Sequence, residues 1–360
     1  MTNKLTLLVD GNWLLISRMS VLAKGFQISN SKIAKDQTAY ELTELLARSI
    51  NVILNRFQEI DNMVIVSDGG SWRKQLPIPK CLENTIYKGN RTQETELDWD
   101  IIYSAFNNFF KHCQNIGITC TNHSNCEGDD WVWYWSRKLN SEGTHCIIWS
   151  SDNDLKQLIQ VDQTTQAFTA WYNDKAGLWL PSSIDKPFDE FEFFMRTDYI
   201  SPILESLKKK NNHISYINPN EIILNKILCG DAGDNIKSVI RYIKNGRTYR
   251  FSQKDYEKLI NELDITNIND LLKSYELTAK YICDLEKFKK YNFKESDIID
   301  MLKYNTKLVW LHEDVIPDTA IIAMNQQEYK QFDLNQIRSN FKILMKDDEE
   351  VKDIFESIFE

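Results

Sequence analysis

The sequence lacks a long hydrophobic run near its N-terminus. In MTNKLTLLVDGNW the apolar stretch is short and Asp10 interrupts it, whereas a membrane-spanning helix needs about 20 apolar residues. We therefore expect neither a signal peptide nor a membrane anchor. The seven cysteines are scattered along the chain, and without a secretion signal such cysteines are expected to be reduced thiols. Both features predict a cytoplasmic protein with no membrane partner.

The sequence also lacks an excess of positive charge. It has 43 Lys and Arg residues against 52 Asp and Glu residues, a net charge of −9. Because nucleic-acid binding is driven largely by Lys and Arg displacing counterions from phosphates, this balance taken alone argues against a nucleic-acid partner. The 360 residues contain no internal repeat and suffice for one or two domains with a buried core. The positions of the acidic residues therefore decide the interpretation.

Apolar runs alternate with amphipathic stretches in the first half of the chain. LTLLVD, NMVIVSD and THCIIWSS are typical of buried strands, and YELTELLARSINVILNRF has the spacing of an amphipathic helix. This alternation predicts an α/β fold with a mostly parallel central sheet flanked by helices. TQAFTAWYNDKAGLWLP predicts an antiparallel hairpin at the sheet edge. Beyond Pro181 the pattern predicts mainly helices.

Acidic residues follow the predicted strands or open a predicted helix. They are Asp10, Asp68, Glu127, Asp129, Asp130, Asp152 and Asp154. Because the carboxyl ends of parallel strands share one edge of a sheet, these carboxylates are expected to converge there, and a cation is needed to offset their repulsion. Oxygen ligands of this kind suit Mg²⁺ or Mn²⁺. Any one of them could instead be a helix cap or a turn former, but the joint pattern favours a metal site.

Five motifs occur in an order that resembles the flap endonuclease, or 5′ nuclease, family. They are LLVDGNW, VIVSDG, CEGDDW, SSDNDL and CGDAGDNI, and IYKGNR is similar to the family's Lys/Arg segment. The resemblance spans roughly residues 5 to 320 and looks closest to the T-even phage ribonuclease H branch. It implies a PIN-like catalytic core at residues 1–185 with an arch segment at about 70–100. It also implies a mainly helical DNA-binding region at 186–360 with a helix-three-turn-helix near 222–250.

The same resemblance implies two bound magnesium ions, for which Mn²⁺ can substitute. Asp10, Asp68, Glu127 and Asp129 match the ligands of the first ion, with Asp130 beside them as a catalytic residue. Asp152, Asp154, Asp231 and Asp234 match the group that holds the second ion, directly or through water. Two such ions can activate a water and stabilise both the attacking and the leaving oxygen of a phosphodiester.

Basic and aromatic residues of the predicted arch are candidates for contacts with the substrate. Lys88 is expected to contact the scissile phosphate, with Arg73 and Arg91 assisting on the 5′ side. Tyr87 is expected to stack on an unpaired base. The alternative for all four is a solvated basic loop.

A second basic group follows the GDAGDN motif. It consists of Lys237, Arg241, Lys244, Arg247 and Arg250, and it follows Asn235, a further candidate for nucleic-acid contact. The last four recur at every third residue, which would form a one-sided basic stripe if the stretch is helical. Such a stripe would bind duplex backbone without sequence preference. Spaced basic residues can equally serve only to solubilise a helix.

Three further features have simpler interpretations. Cys113, Cys120, His123 and Cys126 do not have the spacing of a standard zinc site. WVWYW is expected to belong to the core. The C-terminal DDEEVKDIFESIFE is expected to be an amphipathic helix, with docking on a sliding clamp as the alternative.

The sequence thus predicts a monomeric, metal-dependent 5′ nuclease. Its expected substrates are RNA/DNA hybrids, 5′ flaps and duplex DNA ends, and its expected role is removal of RNA primers during replication. A sliding clamp or a single-strand-binding protein is a possible partner, in the cytoplasm of a host cell if the gene is carried by a phage. The alternatives are a PIN-like endoribonuclease and a structure-specific DNA-binding protein without catalytic activity.

Overall fold

The structure is a computed structural model that describes residues 4–29, 35–82, 85–91, 98–165, 167–181 and 213–331. The chain divides into two compact units. The sheet unit comprises Met1–Gly70, Glu94–Ile217 and Ile322–Glu360, and the helical unit comprises Ser71–Gln93 and Asn218–Ile321. The predicted domain boundary at residue 185 stays a prediction. The C-terminal DDEEVKDIFESIFE segment lies outside the described residues.

A mostly parallel sheet forms the centre of the sheet unit, as predicted. Its strands are β1 (Leu5–Asp10), β2 (Asn62–Val66), β3 (Thr119–Thr121), β4 (His145–Trp149), β5 (Gln160–Val161), β6 (Phe168–Asn173), β7 (Gly177–Pro181) and β8 (Ile214–Ile217). The order is β3-β2-β1-β4-β6-β7-β8, with β5 paired to β6. β1 is therefore flanked by β2 and β4, and both pairings are parallel. The predicted hairpin is confirmed as the antiparallel pair β6 and β7, but β8 lies outside it at the edge.

Helices cover the sheet. They are α1 (Gly11–Ser29), α2 (Lys35–Arg56), α3 (Trp99–Asn115) and α4 (Gly128–Ser141). Every residue of β1, β2 and β4 is buried, which explains why these strands are continuous apolar runs rather than alternating ones. The WVWYW run lies on α4, and its three tryptophans are 0–6% exposed, so the prediction that they belong to the core is confirmed.

The helical unit has its own hydrophobic core. Its helices are α5 (Pro219–Cys229), α6 (Gln253–Glu262), α7 (Ile268–Lys273), α8 (Tyr275–Asp284), α9 (Glu286–Lys289), α10 (Glu295–Val309) and α11 (Asp318–Asn325), the last of which crosses the boundary between the units. α5 begins at Asn218, whose side chain accepts a hydrogen bond from the Asn220 N–H, with Pro219 at the first helical position. This is a favoured start for a helix.

The stretch predicted to carry a helical basic stripe is not helical. It forms an antiparallel hairpin of β9 (Arg241–Lys244) and β10 (Arg247–Arg250) between α5 and α6. Asn245 and Gly246 connect the strands with φ of 51° and 71°, the backbone of a two-residue hairpin turn. The helical prediction was therefore wrong, because this turn and the β-prone residues beside it outweigh the three-residue spacing of the charges.

Candidate functional site

Asp10 ends β1 and is held from two sides. Its Oδ1 accepts a hydrogen bond from the Trp13 N–H at 3.0 Å, and its Oδ2 accepts one from the Ser150 hydroxyl at 2.7 Å. The following Gly11 permits close packing of the two strand ends, because a Cβ at this position would lie 2.5 Å from the carbonyl oxygen of Val66. The sequence therefore turns sharply from β1 into α1 and leaves the Asp10 carboxylate at the carboxyl edge of the sheet.

Asp68 connects this edge to the start of α4. Its Oδ2 accepts a hydrogen bond from the Asn12 side-chain amide at 2.6 Å, and its Oδ1 accepts one from the Gly128 N–H at 2.5 Å. The Asn12 carbonyl oxygen in turn accepts hydrogen bonds from the Ser67 hydroxyl and the Asp68 N–H, each at 3.0 Å. Gly128 lies between Glu127 and Asp129. The three acidic positions are therefore brought to the same part of the sheet edge.

Asp152 and Asp154 are joined to Asp10 through Ser150. The Ser150 hydroxyl donates to Asp10 and accepts a hydrogen bond from the Asp152 N–H at 2.9 Å. The Asp152 carboxylate accepts a hydrogen bond from the Asp154 N–H at 2.8 Å, and the Trp171 indole donates to the Asp152 carbonyl oxygen at 3.0 Å. Asp152 thus caps a short 3₁₀ helix at Asn153–Leu158. The SDND motif places both carboxylates in one fixed turn after β4.

The carboxylates at this edge repel one another. The pKa of Asp10 is raised to about 6: burial is the main cause, the negative charges of Asp152 and Asp68 add to it, and the two hydrogen bonds oppose it. A carboxylate in this setting is costly to ionise unless a cation compensates it. The oxygen-only donor set therefore fits a hard divalent cation such as Mg²⁺ or Mn²⁺.

The remaining acidic residues of α4 have different environments. Glu127 is 5% exposed at the N-cap, Asp129 is half-buried in the first turn, and Asp130 is fully buried. The Asp130 carboxylate accepts a hydrogen bond from the Glu127 N–H at 3.0 Å, which makes it the second half of a capping box. The Asp130 side chain therefore stabilises the start of α4, and its expected catalytic role stays a prediction.

Among the residues that the structure describes, no three His, Cys, Asp or Glu side chains lie close enough together to hold a metal ion as they are placed. The carboxylate oxygens at the sheet edge are nevertheless the type of donor that a hard divalent cation binds. Cys113, Cys120 and Cys126 are buried free thiols in the described part of the chain.

Asp231 and Asp234 lie in the helical unit, each beside a cation. Asp231 forms an ion pair with Lys226 at 2.5 Å and accepts a hydrogen bond from the Gly233 N–H at 2.8 Å. Burial alone would raise the pKa of Asp231, but the ion pair with Lys226 and the backbone hydrogen bonds lower it below its ordinary value. Asp234 forms an ion pair with Arg91. That these two acids share a second metal with Asp152 and Asp154 stays a prediction.

The basic segment at residues 85–91 packs against the turn that contains Asp234. The Tyr87 hydroxyl donates to the Asp234 carboxylate at 3.3 Å, and the Lys88 N–H donates to the Asp234 carbonyl oxygen at 2.8 Å. The Asn235 side-chain amide donates to the Ile86 carbonyl oxygen at 2.8 Å. The motifs YKGNR and GDAGDNI, which are far apart in sequence, therefore form one local structure.

Two of the predicted substrate contacts are wrong. Arg73 is 2% exposed, donates from its Nε to the Leu308 carbonyl oxygen at 3.1 Å, and packs over the Trp72 ring. The ring of Tyr87 is 5% exposed and belongs to the core of the helical unit. A buried guanidinium cannot reach a phosphate and a buried ring cannot stack on a base, so both residues stabilise the fold of this unit.

Lys88 and Arg91 remain candidates for substrate contact. Lys88 is half-buried with its ammonium 5.0 Å from the centre of the Tyr87 ring, and its backbone has a φ of 55°. Arg91 is exposed, with a side-chain accessibility of 57% beside Asp234. Lys88 is held through its backbone N–H, which donates to the Asp234 carbonyl oxygen, and Arg91 is held by its ion pair with the Asp234 carboxylate.

The other predicted nucleic-acid contacts lie on or beside the hairpin. Lys237 is half-buried and hydrogen-bonded to the Asn235 side chain, whereas the four basic residues of β9 and β10 are exposed. The strand pairing sets Arg241 opposite Arg250 and Lys244 opposite Arg247. Since side chains alternate along a strand, these two pairs lie on opposite faces of the hairpin. The expected single stripe is replaced by two separate basic pairs.

Sequence reasoning missed Asn12 and Ser150. Both are polar residues that donate a hydrogen bond to an acidic side chain of the sheet edge. The sequence signal is their proximity to the acidic residues: Asn12 lies two residues after Asp10, and Ser150 lies between the end of β4 and Asp152. Polar residues next to a metal-binding carboxylate commonly hold its orientation.

Comparison with known proteins gives one family match and several structural matches. Residues 5–180 match the model of the 5′-3′ exonuclease N-terminal, resolvase-like domain. The chain resembles the phage T5 D15 protein co-crystallized with metal ions, with 17% identity and a TM-score of 0.51 over 95% of this chain and 100% of that one. No curated protein matches the sequence.

Two further structures show the same likeness. One is the bacteriophage T5 D15 flap endonuclease in a pseudo-enzyme-product complex with DNA and metal ions, with 15% identity, a TM-score of 0.51 and coverage of 95% and 99% of the two chains. The other is the T5 5′-exonuclease with bound zinc, with 16% identity, a TM-score of 0.50 and coverage of 95% and 100%. At these identities the likeness establishes the fold, which agrees with the predicted fold class.

Proposed function

This chain belongs to the flap endonuclease, or 5′ nuclease, family through its 5′-3′ exonuclease domain at residues 5–180, and from that membership we propose that it hydrolyses phosphodiesters with the help of divalent metal ions. The observation that carries the proposal is the row of carboxylates at the carboxyl edge of the sheet. Hydrogen bonds link Asp10 through Ser150 to Asp152 and Asp154, and Asp68 is linked to the start of α4. Open α/β sheets bind their ligands at this edge.

Asp10, Asp68, Asp152 and Asp154 would hold the metal, with Glu127 and Asp129 beside them. The chemistry that Mg²⁺ supplies in such a site is activation of a water and neutralisation of charge on the phosphodiester. Ser150 fixes one Asp10 oxygen and Asn12 fixes one Asp68 oxygen, so each carboxylate keeps a defined orientation. No nucleophilic side chain is required.

We assign binding of the nucleic acid to the helical unit. Lys88 would contact the scissile phosphate, with Arg91 beside it, because cations placed near the transferred group stabilise the charge that develops there. The four exposed basic residues of the hairpin would contact the duplex backbone, with Asn235 and Lys237 at its base. Contacts of this kind give salt-dependent binding without sequence preference.

The detailed activity that we propose is cleavage of 5′ flaps, duplex DNA ends and RNA/DNA hybrids in a 5′ to 3′ direction. Two magnesium ions would act together, with Asp231 and Asp234 completing the second site, and Mn²⁺ would substitute for magnesium. The biological role would be removal of RNA primers by a monomeric protein, together with a sliding clamp or a single-strand-binding protein. A phage origin and a cytoplasmic location belong to the same proposal. Within the described residues no helix is long and apolar enough to cross a membrane.

The test uses a 5′-labelled DNA flap and an RNA/DNA hybrid, each incubated with Mg²⁺, Mn²⁺, Ca²⁺ or a chelator. We expect cleavage of both substrates with Mg²⁺ and Mn²⁺ and none with the chelator. Asp154→Asn should abolish turnover and leave flap binding largely intact, because it removes charge at the metal and preserves shape. Asp100→Asn, a change at an exposed acid on α3, should cleave like the unmodified protein.

The outcomes also separate the alternatives. Cleavage of single-stranded RNA with an intact DNA flap would identify a PIN-like endoribonuclease. Binding of the flap without cleavage under any metal condition would identify a DNA-binding protein without catalytic activity. Either result would overturn the proposal.

A further inference from the structure

A cavity of about 510 Å³ lies within the helical unit. It is bounded by the short 3₁₀ helix at Lys80–Leu82, by the start of β9 and by the first half of α10. Its size lies within the range of about 300–1,000 Å³ that is typical of small-ligand sites. Its lining includes Lys237 and Arg241, which the proposed function assigns to the duplex backbone, and none of the acidic residues proposed to hold the metal.

The cavity wall is rich in positive charge. Lys237, Arg241 and Lys294 line it, and among the described residues none of the three forms an ion pair with a carboxylate. Asp297 is the acidic residue of the lining in this part of the structure. Burial and the neighbouring charge of Arg241 lower the pKa of Lys237. Three cations against one carboxylate favour an anionic ligand, because a bound anion would relieve this repulsion.

The same wall presents aromatic rings. Tyr242 and Phe293 line the cavity with their ring centres 6.2 Å apart. Tyr242 cannot turn freely, because it stacks on Tyr249 at 5.1 Å with an interplanar angle of 9° and contacts Tyr291 at 3.9 Å. Because Tyr249 and Tyr291 cover the two faces of the Tyr242 ring, the half-buried ring of Phe293 is the surface of the lining on which a planar group can stack.

We propose that this cavity binds a single nucleotide, with its base against the ring of Phe293 and the edge of Tyr242, and its phosphate between Lys237, Arg241 and Lys294. The choice of ligand class rests on the proposed function, since planar heterocycle and phosphate occur together in nucleic acid. The nucleotide is either an unpaired residue of a bound strand or a free mononucleotide. Both sources have the same chemistry, and the experiment distinguishes them.

Cys81 provides a reporter for occupancy. It lines the cavity, is the exposed cysteine among the described thiols, and lies with its sulfur 3.8 Å from the Asp297 carbonyl oxygen. The rate of Cys81 alkylation by iodoacetamide would be measured on the full chain by peptide mass spectrometry. Chelator is present throughout, so that no substrate is cleaved. Alkylation of half-buried Cys283, which is not part of the cavity lining, serves as the internal reference.

Four additives separate the possible ligands: inorganic phosphate, deoxyadenosine, deoxyadenosine monophosphate and a short single-stranded DNA. We expect the monophosphate or the DNA to slow Cys81 alkylation strongly, and phosphate or nucleoside alone to have little effect. Protection by the monophosphate identifies a free nucleotide as sufficient. Protection by the DNA alone identifies a strand-borne nucleotide, provided that a cavity variant weakens it.

Lys294→Gln is that variant, and Lys280→Gln, at an exposed lysine outside the cavity, is its matched control. Lys294→Gln should raise the half-protecting concentration by about tenfold, the effect of losing one charge-assisted contact, and Lys280→Gln should leave it unchanged. Equal alkylation rates with all four additives would overturn the inference, as would DNA protection that persists undiminished in Lys294→Gln. Flap cleavage by the same protein would then still support the proposed function, so the two can fail separately.

Discussion

At the scale of single residues, the environment of each acidic side chain separates its possible roles. Asp10 has one oxygen bound by Ser150 and the other by the Trp13 N–H, and burial and like charges oppose its ionisation. Asp130 is also an aspartate, but it is fully buried as part of a helix cap. The difference between the two follows from the hydrogen bonds that each receives, which residue type alone does not specify.

Asp10→Asn should stabilise the metal-free protein. The folded-state pKa of about 6 lies above the ordinary value of 3.8, so ionisation above pH 6 lowers the free energy of unfolding by up to about 3 kcal/mol. The amide removes this cost, and we expect a gain of about 1–3 kcal/mol at pH 8 that disappears below pH 4, where the unmodified carboxyl is protonated in both states. Urea denaturation of both proteins with chelator present, at pH 4 and pH 8, measures this difference in the free energy of unfolding.

Magnesium should reverse the order of stability between the two proteins. We expect Mg²⁺ to raise the melting temperature of the unmodified chain more than that of Asp10→Asn, because the variant has lost a ligand charge. Asp100→Asn should respond to both pH and Mg²⁺ like the unmodified chain. An Asp10→Asn protein that is less stable at pH 8 would contradict this account of the site.

Arg73→Ala should reduce stability rather than act directly on catalysis. The substitution removes a guanidinium that packs on Trp72 and leaves the buried Leu308 carbonyl oxygen without this donor. We expect a loss of about 2–4 kcal/mol in the free energy of unfolding, measured by urea denaturation, with near-normal turnover per folded molecule. Lys74→Ala, at the exposed neighbour, should change neither quantity. A large fall in turnover at full stability would restore Arg73 as a substrate contact.

At the scale of secondary-structure elements, the parallel strands were predictable and the basic hairpin was misread. β1, β2 and β4 are continuous apolar runs with an acid or a polar residue at the end, and their burial on both faces makes that pattern unambiguous. The 241–250 stretch carries two conflicting signals. Its charges recur at every third residue, but Asn245-Gly246 between RYIK and RTYR is a strong hairpin signal, and local turn chemistry decides the outcome.

The two basic pairs of the hairpin should contribute unequally to duplex binding. Arg241 and Arg250 lie on one face, and Lys244 and Arg247 on the other. Only one of these residue pairs can face the phosphates of a fully paired DNA duplex. Replacing both residues of that pair with glutamine should reduce the slope of log affinity against log salt by about two. The other pair should change it little. Fluorescence anisotropy over a salt series measures both variants, and equal slopes would indicate the single stripe expected from the sequence.

At the scale of the whole molecule, the net charge of −9 conceals an uneven distribution. The helical unit contains 21 Lys and Arg residues against 18 Asp and Glu residues, a net charge of +3, which leaves −12 for the sheet unit. The acidic total therefore does not argue against a nucleic-acid partner once the two units are considered separately. The sequence alone could not give this division, because residues 71–93 belong to the helical unit although they lie between segments of the sheet unit.

His145 should make the protein sensitive to mild acid. It is 4% exposed at the start of β4 and accepts a hydrogen bond from the Phe168 N–H at 3.1 Å, and burial lowers its pKa from 6.5 to about 4. Between these values the unfolded chain binds the proton more tightly, so stability falls by up to about 3 kcal/mol as the pH drops from 6.5 to 4. His145→Asn retains a hydrogen-bond acceptor but cannot bind the proton. Its free energy of unfolding, measured by urea denaturation, should therefore lack this fall between pH 6.5 and 4. The same pH dependence of the free energy of unfolding in the unmodified chain and in His145→Asn would contradict this role of His145.

The pairing of β1 with β4 joins Leu5 to His145, and the Asp10–Ser150 hydrogen bond spans 140 positions of sequence. Contacts so distant form only after a long loop has closed. A nascent chain that has left the ribosome only as far as α3 therefore has Asp10 and Asp68 but lacks Ser150, Asp152 and Asp154. Assembly of the acidic edge is postponed until most of the sheet unit has been synthesised, so an unfinished polypeptide lacks the complete set of carboxylates that we propose as the metal site.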